Sequence, residues 1–414
     1  MKILFLCHRF PFPPQRGGKI RPFNVIRHLS QRHEVTVASL ARSHAEVQAG
    51  QGLAEHCSRY LVETISGPAA MAHMVARLPT SGPSSMGYFR SPKLARRIRR
   101  ELTGGQFDLI FVHCAFMAPY VSDVSGIPKV LDFGDMDSQK WLAYGRERSF
   151  PLSLGYYLDG LKLRRAEARL AAKFDICTCT TRAELATLES YGVRTHTGWF
   201  PNGVDTEYFR PSEFAYDPDT ISFVGRMDYY PNQECMLDFC QTTLPVLRAR
   251  RPRIKLVIVG AEPSRAIRAL AELPGVTVTG SVPDVRPHLW ASAATVAPLR
   301  IARGTQNKIL EAMAMGVPTV ASVAAARGVD AEPGSHILTA TSPAEYAAAI
   351  LRILEDPRER RRLSEAGRNR VLSHHSWDRA MEMLDQLLAR YVPGYCEAPV
   401  RPRNQNIQNG GRNL

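Results

Sequence analysis

The chain has no run of 18 or more uninterrupted apolar residues, so no segment reads as a membrane-spanning helix. Its eight cysteines include no CxxC pair and no Cys/His ligand spacing, which argues against a zinc site. No GxGxxG follows the first strand-like run, which argues against a dinucleotide-binding dehydrogenase. No RNA-binding aromatic motif or DNA-reading helix pair is recognisable, and nucleic acid is not an expected partner. The apolar stretch of the start, MKILFLCHRFPFPP, is too short for a signal peptide and reads as a first strand, so a cytoplasmic location is expected. Acidic residues are in short supply: 39 Asp and Glu against 53 Lys and Arg leave a net charge of +14. Such an excess calls for an acidic small molecule or an anionic surface as a partner.

What remains is ordinary for a folded soluble protein, with 44% hydrophobic and 22% charged residues. At 414 residues the chain is long enough for two domains. Cys7, Cys114, Cys177 and Cys179 sit in apolar strand-like segments, as free core thiols do. The basic residues cluster in KLARRIRREL (93–102) and LKLRRAEARLAAK (161–173). In the first, Leu94, Ile98 and Leu102 form an apolar edge flanked by arginines. Such a helix either lies on an anionic lipid surface or packs its edge into a core behind a solvated basic face.

Strand-length apolar runs alternate with helical patterns twice over. KILFLC, EVTVASL, DLIFVHC, KVLDF and DICTCT occupy the first half, with helical stretches at 23–32 and about 153–173. TISFVG, KLVIVG, VTVTG, ATVAPL and PTVAS repeat the rhythm in the second. This predicts an α/β protein of two doubly wound, Rossmann-like domains of parallel sheet, facing each other across a cleft. The expected division is 1–200, 201–375, an amphipathic helix over 376–392 that packs back on the first domain, and a disordered tail over 393–414.

In open parallel sheets ligands bind beyond the carboxyl ends of the strands, and the polar constellations fall there. RGTQNKILEAMAMGVP follows ATVAPL: a glycine turn opens a helix that carries Lys308 and Glu311. Unpaired N–H groups at a helix start with a nearby cation make an anion site, and Glu311, one turn in, can accept hydrogen bonds from ribose hydroxyls. On this segment alone, a buried strand–helix junction with a helix-stabilising glutamate fits equally well. Gly225 and Arg226 end the first strand of the second half, where a guanidinium can stabilise a departing diphosphate. Gly17 and Gly18 follow the first strand of the chain and permit close approach of a ligand to the backbone. His113 ends a strand of the first half and can bond a sugar hydroxyl or exchange a proton. Asp132, Asp135 and Asp137 read as an acidic loop that caps the next helix or holds acceptor hydroxyls.

Together, the Gly17-Gly18 loop, PNGVDTEYFRP, FVGR, LEAMAMGVPTVAS and the terminal SW-containing helix resemble glycosyltransferase family 4, the retaining nucleotide-sugar transferases of GT-B fold. GRMDYYPN, LDFGDMDSQKW and RGTQNKILEAMAMG are similar, more closely, to the sugar transferases of PEP-CTERM/exosortase exopolysaccharide loci. The resemblance implies that Gly17 and Gly18 line the donor diphosphate and that Arg226 binds it. It also implies that Gly304 and Thr305 cradle the phosphates, Glu311 holds the ribose and His113 contacts the donor sugar; Asn202, in PNGVDTEYFRP, and Asp135 join the substrate-binding set. Two positions depart from the family pattern. Arg303 stands where the first of two glutamates is usual, so its contacts with donor hydroxyls fall to Gln306 or Asn307, or Arg303 itself pairs with an anionic group on the donor. Asn232 stands where a second diphosphate-binding lysine is common, and Lys308 is the candidate substitute.

The resemblance implies a retaining, metal-independent transfer of a sugar from a nucleoside diphosphate to an acceptor hydroxyl, with no cofactor. The expected acceptor is a lipid-linked saccharide of exopolysaccharide biosynthesis, met at the inner face of the membrane, with the anionic membrane surface as a further partner. Two other activities share these features: a nucleotide-sugar epimerase of the same fold, and a non-catalytic nucleotide-sugar-binding protein of a polysaccharide complex.

Overall fold

In the computed structural model, which describes residues 1–213 and 215–395, the alternating apolar runs become two parallel sheets. The first holds β1 (Lys2–Cys7), β2 (Glu34–Ala41), β3 (Arg59–Thr64), β4 (Leu109–His113), β5 (Lys129–Gly134), β6 (Ile176–Cys179) and β7 (His196–Trp199), in the order β3-β2-β1-β4-β5-β6-β7. The second holds β8 (Asp217–Val224), β9 (Lys255–Val259), β10 (Val276–Gly280), β11 (Ser292–Ala297), β12 (Thr319–Ser322) and β13 (Leu338–Ala340), in the order β10-β9-β8-β11-β12-β13. Ile3 to Cys7 and Leu109 to Val112 are fully buried, as central strands covered by helices on both faces must be. Each order reverses once, between β1 and β4 and between β8 and β11. The crevices at those reversals are where an open sheet of this kind takes its ligands.

Two compact units result. One comprises 1–179, 188–198 and the chain from Met381 onward; the other comprises 180–187 and 199–380. The last helix, Trp377–Tyr391, passes from the second unit to the first. In the first unit its Asp385 lies 2.9 Å from His28 Nε2, and its Tyr391 ring stacks on His196 at 4.0 Å. The tail expected to be disordered from 393 is ordered in its first residues: Tyr395 is buried and its hydroxyl donates to Asp385. The remainder of that tail, 396–414, lies outside the described residues.

The basic segment 93–102 lies in the helix Pro92–Gly104, where Leu94 and Ile98 are fully buried against the first unit's core. Lys93 and Arg97 of this helix pair with Glu63 on β3. Its apolar edge is therefore spent on packing, and the lipid-facing reading of this helix does not hold. No helix among the described residues is long and apolar enough to cross a membrane.

Candidate active site

In the second unit, the helix Asn307–Ala314 forms because Ile309, Leu310, Met313 and Ala314 bury one face against the sheet. Lys308 and Glu311 stand on the other side, half-buried. Lys308 Nζ donates to Asn232 Oδ1 at 2.7 Å, and Asn232 Nδ2 donates to the Arg226 carbonyl at 2.8 Å. The ammonium also sits 4.3 Å from the centre of the Phe223 ring. Among the described residues no carboxylate comes within ion-pair distance of Lys308. Burial pushes its pKa down from 10.5 to about 8, against the smaller pull of Cys235 and Glu311. Burial likewise pushes Glu311 up from 4.5 to about 7, with Lys308 opposing.

Glycine makes this approach possible. A Cβ on Gly225 would lie 2.8 Å from Lys308 Nζ and 2.7 Å from Asn232 Nδ2. At Gly260, which follows β9, a Cβ would lie 1.7 Å from the Gly225 carbonyl oxygen. The strand ends thus close on the lysine only because both positions lack a side chain.

The turn before the helix has Gly304 at φ +60°, and a Cβ on Gly328 would strike its carbonyl oxygen at 2.0 Å. Gln306, at the cap position, leaves the first helical N–H groups without a side-chain acceptor; its Nε2 donates instead to the Arg303 carbonyl at 3.1 Å. Asn307 Oδ1 accepts from Asn202 Nδ2 at 3.4 Å. Thr305 Oγ1 is shielded from solvent with no hydrogen-bond partner among the described residues. An uncapped helix start, an orphaned hydroxyl and an ammonium without a counter-ion together suit a multiply charged oxyanion.

Arg226 is placed differently. Its guanidinium is clamped by Asp228, with Nε to Oδ1 at 2.9 Å and Nη2 to Oδ2 at 2.7 Å, and by Glu262. Asp228 and Glu262 raise its pKa further, so it stays charged. Asn232 ties the Arg226 backbone to Lys308, while the Arg226 side chain turns to the two acids. Arg303 Nη1 lies 3.9 Å from Glu184 Oε1, a carboxylate in a side chain only 3% exposed, so its charge is already faced by a carboxylate of the same unit.

In the first unit, His113 ends β4 and pairs in register with Asp132 on β5. Asp132 is wholly buried and accepts from Arg21 Nε and Nη2 at 2.8 and 2.9 Å, from His113 Nδ1 at 2.7 Å and from Thr178 Oγ1 at 2.9 Å. Burial alone would raise this carboxyl; Arg21 and His113 outweigh it and hold it well below its ordinary value. It is a strand residue, and the expected acidic loop begins only after it. The next helix starts at Asp137 with Met136 at its cap position, so neither Asp135 nor Asp137 occupies the cap. Burial pushes Asp137 up to about 6. With Nδ1 engaged by Asp132, His113 keeps Nε2 for a ligand.

The His113 ring lies 5.9 Å from that of His8, the residue after β1, which the sequence reading missed. His8 Nδ1 is buried without a hydrogen-bond partner among the described residues, and burial holds the ring neutral. A Cβ on Gly18 would come within 3.9 Å of His8 Nε2, whereas Gly17 faces open space within 4 Å. Gly18, His8 and His113 thus form one cluster at the β1/β4 reversal. Among the described residues no group of three or more His, Cys, Asp or Glu is placed to hold a metal ion.

The comparisons with known proteins agree with this layout. The Glycosyltransferase Family 4 profile matches 17–208, and the Glycosyl transferases group 1 profile matches 218–356. The chain is similar to a D-inositol 3-phosphate glycosyltransferase of Geodermatophilus obscurus, with 28% identity over 55% of this chain and 54% of that protein. It is also similar to a GDP-mannose-dependent alpha-(1-6)-phosphatidylinositol monomannoside mannosyltransferase of Mycobacterium tuberculosis, with 29% identity over 48% of this chain and 56% of that one. The chain thus spans about half the length of these curated relatives. Among solved structures, sucrose-phosphate synthase from Thermosynechococcus elongatus has a TM-score of 0.69 at 17% identity, covering 94% of this chain and 99% of that one. HepE of Anabaena, in complex with UDP, has a TM-score of 0.68 at 16% identity, covering 94% and 100%. At such identities these structures show the fold alone, and it is that of the GT-B glycosyltransferases.

Proposed function

For a chain that carries a Glycosyltransferase Family 4 domain followed by a group 1 glycosyltransferase domain, we propose a retaining transfer of a sugar from a nucleoside-diphosphate sugar to an acceptor hydroxyl, with no metal ion. The observation that carries this reading is the Lys308 ammonium, buried at the end of β8 beside Asn232 and Gly225 with no carboxylate among the described residues within ion-pair distance. As the bond between the anomeric carbon and the diphosphate breaks, negative charge grows on the leaving group. Lys308 and the uncapped N–H groups of the helix start are already in position to receive it. Arg226 joins them by exchanging Asp228 and Glu262 for phosphate oxygens, and Thr305 Oγ1 finds there the partner it lacks among the described residues. Glu311, once ionised, accepts from the ribose hydroxyls.

His113, oriented by Asp132, offers Nε2 to a hydroxyl of the donor sugar, and Gly17 and Gly18 let that sugar approach the backbone. Relatives named for α-linked products, among them the M. tuberculosis mannosyltransferase, support retention. Arg303 and Glu184 together take the place of the family's first glutamate: the carboxylate comes from 184 and Arg303 orients it. The acceptor in this reading is a lipid-linked saccharide of exopolysaccharide assembly, met at the inner face of the membrane in keeping with the chain's basic charge.

A thermal-shift screen across UDP-, GDP- and dTDP-sugars tests the donor, because a ligand that binds only the folded state raises the midpoint by mass action. One of the three should stabilise the protein and the Lys308→Ala variant should lose that shift. No shift with any of them would remove the reading.

A further inference from the structure

The first unit contains a cavity of about 730 Å³ that takes no part in the site above. Arg77, Arg90, Arg169 and Lys173 line it over an apolar floor that includes Met86 and Leu170, and no carboxylate lines it. Lys173 pairs with the exposed Asp123 at 2.6 Å. Arg77, Arg90 and Arg169 have no carboxylate within ion-pair distance among the described residues. His73 also faces the cavity, and its Nδ1 is shielded with no hydrogen-bond partner among the described residues. In a chain whose other arginines so often find an acid, three unneutralised guanidinium groups around one cavity point to an anion from outside.

The rim identifies the carrier of that anion. Among the described residues thirteen large hydrophobic side chains stand exposed, and eight belong to two segments, one on the helix that supplies Arg77 and one at the far end of the helix that supplies Arg169. Met71, Val75 and Leu78 follow one another at helical spacing on the helix Gly67–Arg77 and its cap, the helix that also supplies Arg77. Phe150, Leu152, Leu154, Tyr157 and Leu158 crowd the start of the long helix Leu152–Ala171, which supplies Arg169. Lys162 Nζ donates to the Leu78 carbonyl at 2.8 Å, so the two apolar segments adjoin, with Leu158 and Leu154 one and two turns before that contact. Phe150 is 78% exposed, and large apolar side chains grouped in this way mark an interaction surface. Apolar side chains beside a cluster of cations are the layout of a surface that dips into the boundary between headgroups and acyl chains.

The geometry points to this face as the seat of an anionic phospholipid bilayer, with a headgroup phosphate held by Arg77, Arg90 and Arg169 and the apolar rim buried among the acyl chains. The inference rests on the proposed lipid-linked acceptor for its purpose, but its test is independent of sugar transfer. It also moves the membrane contact from the buried edge of the helix Pro92–Gly104 to a face whose apolar residues are free.

The full chain should co-sediment with vesicles that contain phosphatidylglycerol, less so as salt rises, and not with phosphatidylcholine vesicles. Removing the three charges together (R77Q/R90Q/R169Q) should weaken that binding about a hundredfold, the combined scale of three basic groups lost at an anionic surface. Removing the rim (V75N/L78N/F150S) should weaken it comparably, whereas R358Q/R361Q on the exposed helix Pro357–His374 should leave it unchanged. Any of three outcomes would overturn the inference: equal binding to both kinds of vesicle, unchanged binding by the R77Q/R90Q/R169Q protein, or complete competition by soluble glycerol phosphate or an acidic peptide. Nucleotide stabilisation of the same variants, which should match that of the unmodified protein, separates the two readings. A failed vesicle test with that stabilisation intact leaves the donor site standing, and the converse leaves the membrane face standing.

Discussion

The two units treat their buried polar groups in opposite ways. Around Asp132 every charge is answered: a guanidinium with two bonds, an imidazole and a hydroxyl converge on one carboxylate within 2.9 Å. Around Lys308 the account is left open, with one amide for the ammonium, an orphaned hydroxyl at Thr305 and a glutamate held near neutrality. A closed network specifies a shape, because any departure from it strands a charge in low dielectric. An open one stores affinity for whatever completes it. The first unit thus holds His113 fixed, and the second keeps donors only partly matched by acceptors among the described residues.

That contrast fails or sharpens on four substitutions. Asp132→Ala carries the largest expected effect, a loss of about 3–5 kcal/mol in unfolding free energy, because the buried Arg21 guanidinium would lose the carboxylate that accepts two of its hydrogen bonds. Denaturant titration measures it, and a loss below about 1 kcal/mol would mean that the network is not closed after all. Lys308→Ala should cut sugar transfer about 100-fold, the scale of a lost electrostatic contact to a leaving group. The same variant should leave the midpoint of unfolding of the nucleotide-free protein unchanged or higher, since a desolvated cation has been removed; a large fall would place Lys308 among structural residues.

Gly225→Ala is subtler, since its methyl would occupy the space 2.8 Å from the Lys308 ammonium. Displacing a charged hydrogen-bond donor should weaken nucleoside diphosphate binding roughly tenfold or more, read by calorimetry. Unchanged affinity would show that the ammonium has another route to the phosphates. The smallest effect belongs to Asp228→Asn. Releasing Arg226 from one of its two carboxylates should strengthen diphosphate binding by a few-fold, the scale of a partly exposed ion pair at about 0.2–1 kcal/mol. Weaker binding would mean that Asp228 holds the guanidinium in its working position.

Much of the architecture was legible because apolar runs in a parallel sheet are continuous and each is followed by an amphipathic helix. Ten strands follow from that pattern. The other three are edge strands or short ones: β3, with Glu63 tied to Lys93 and Arg97; β7, with glycine and histidine among four residues; and β13, of three residues. None carries the unbroken apolar signature of a central strand. In the site, Lys308 and Glu311 stand out in sequence because the helix start they occupy is a local feature. Asp132 reads in sequence only as part of an acidic loop, because its partner Arg21 lies 111 residues away. One signal was available: pairing DLIFVHC with KVLDF in parallel places His113 beside Asp132. Glu184 as the partner of Arg303 left no such trace, since only the return of 180–187 to the second unit brings it there.

The central claim is that a diphosphate completes the coordination of Lys308, and protonation measures it most directly. In the free protein Lys308 releases its proton at about pH 8, below its ordinary 10.5, because it is buried. A bound diphosphate favours the charged form and raises that value. Binding just above pH 8 should therefore take up protons, and affinity should fall as the pH climbs further. Below about 7 affinity should fall again, as the Glu311 carboxylate takes up a proton and ceases to accept from the ribose. Calorimetric titration of UDP or GDP just above pH 8, in two buffers of different ionisation enthalpy, should show net proton uptake that vanishes in Lys308→Met. Binding with no proton uptake, and with equal affinity in the Lys308→Met protein, would contradict the account.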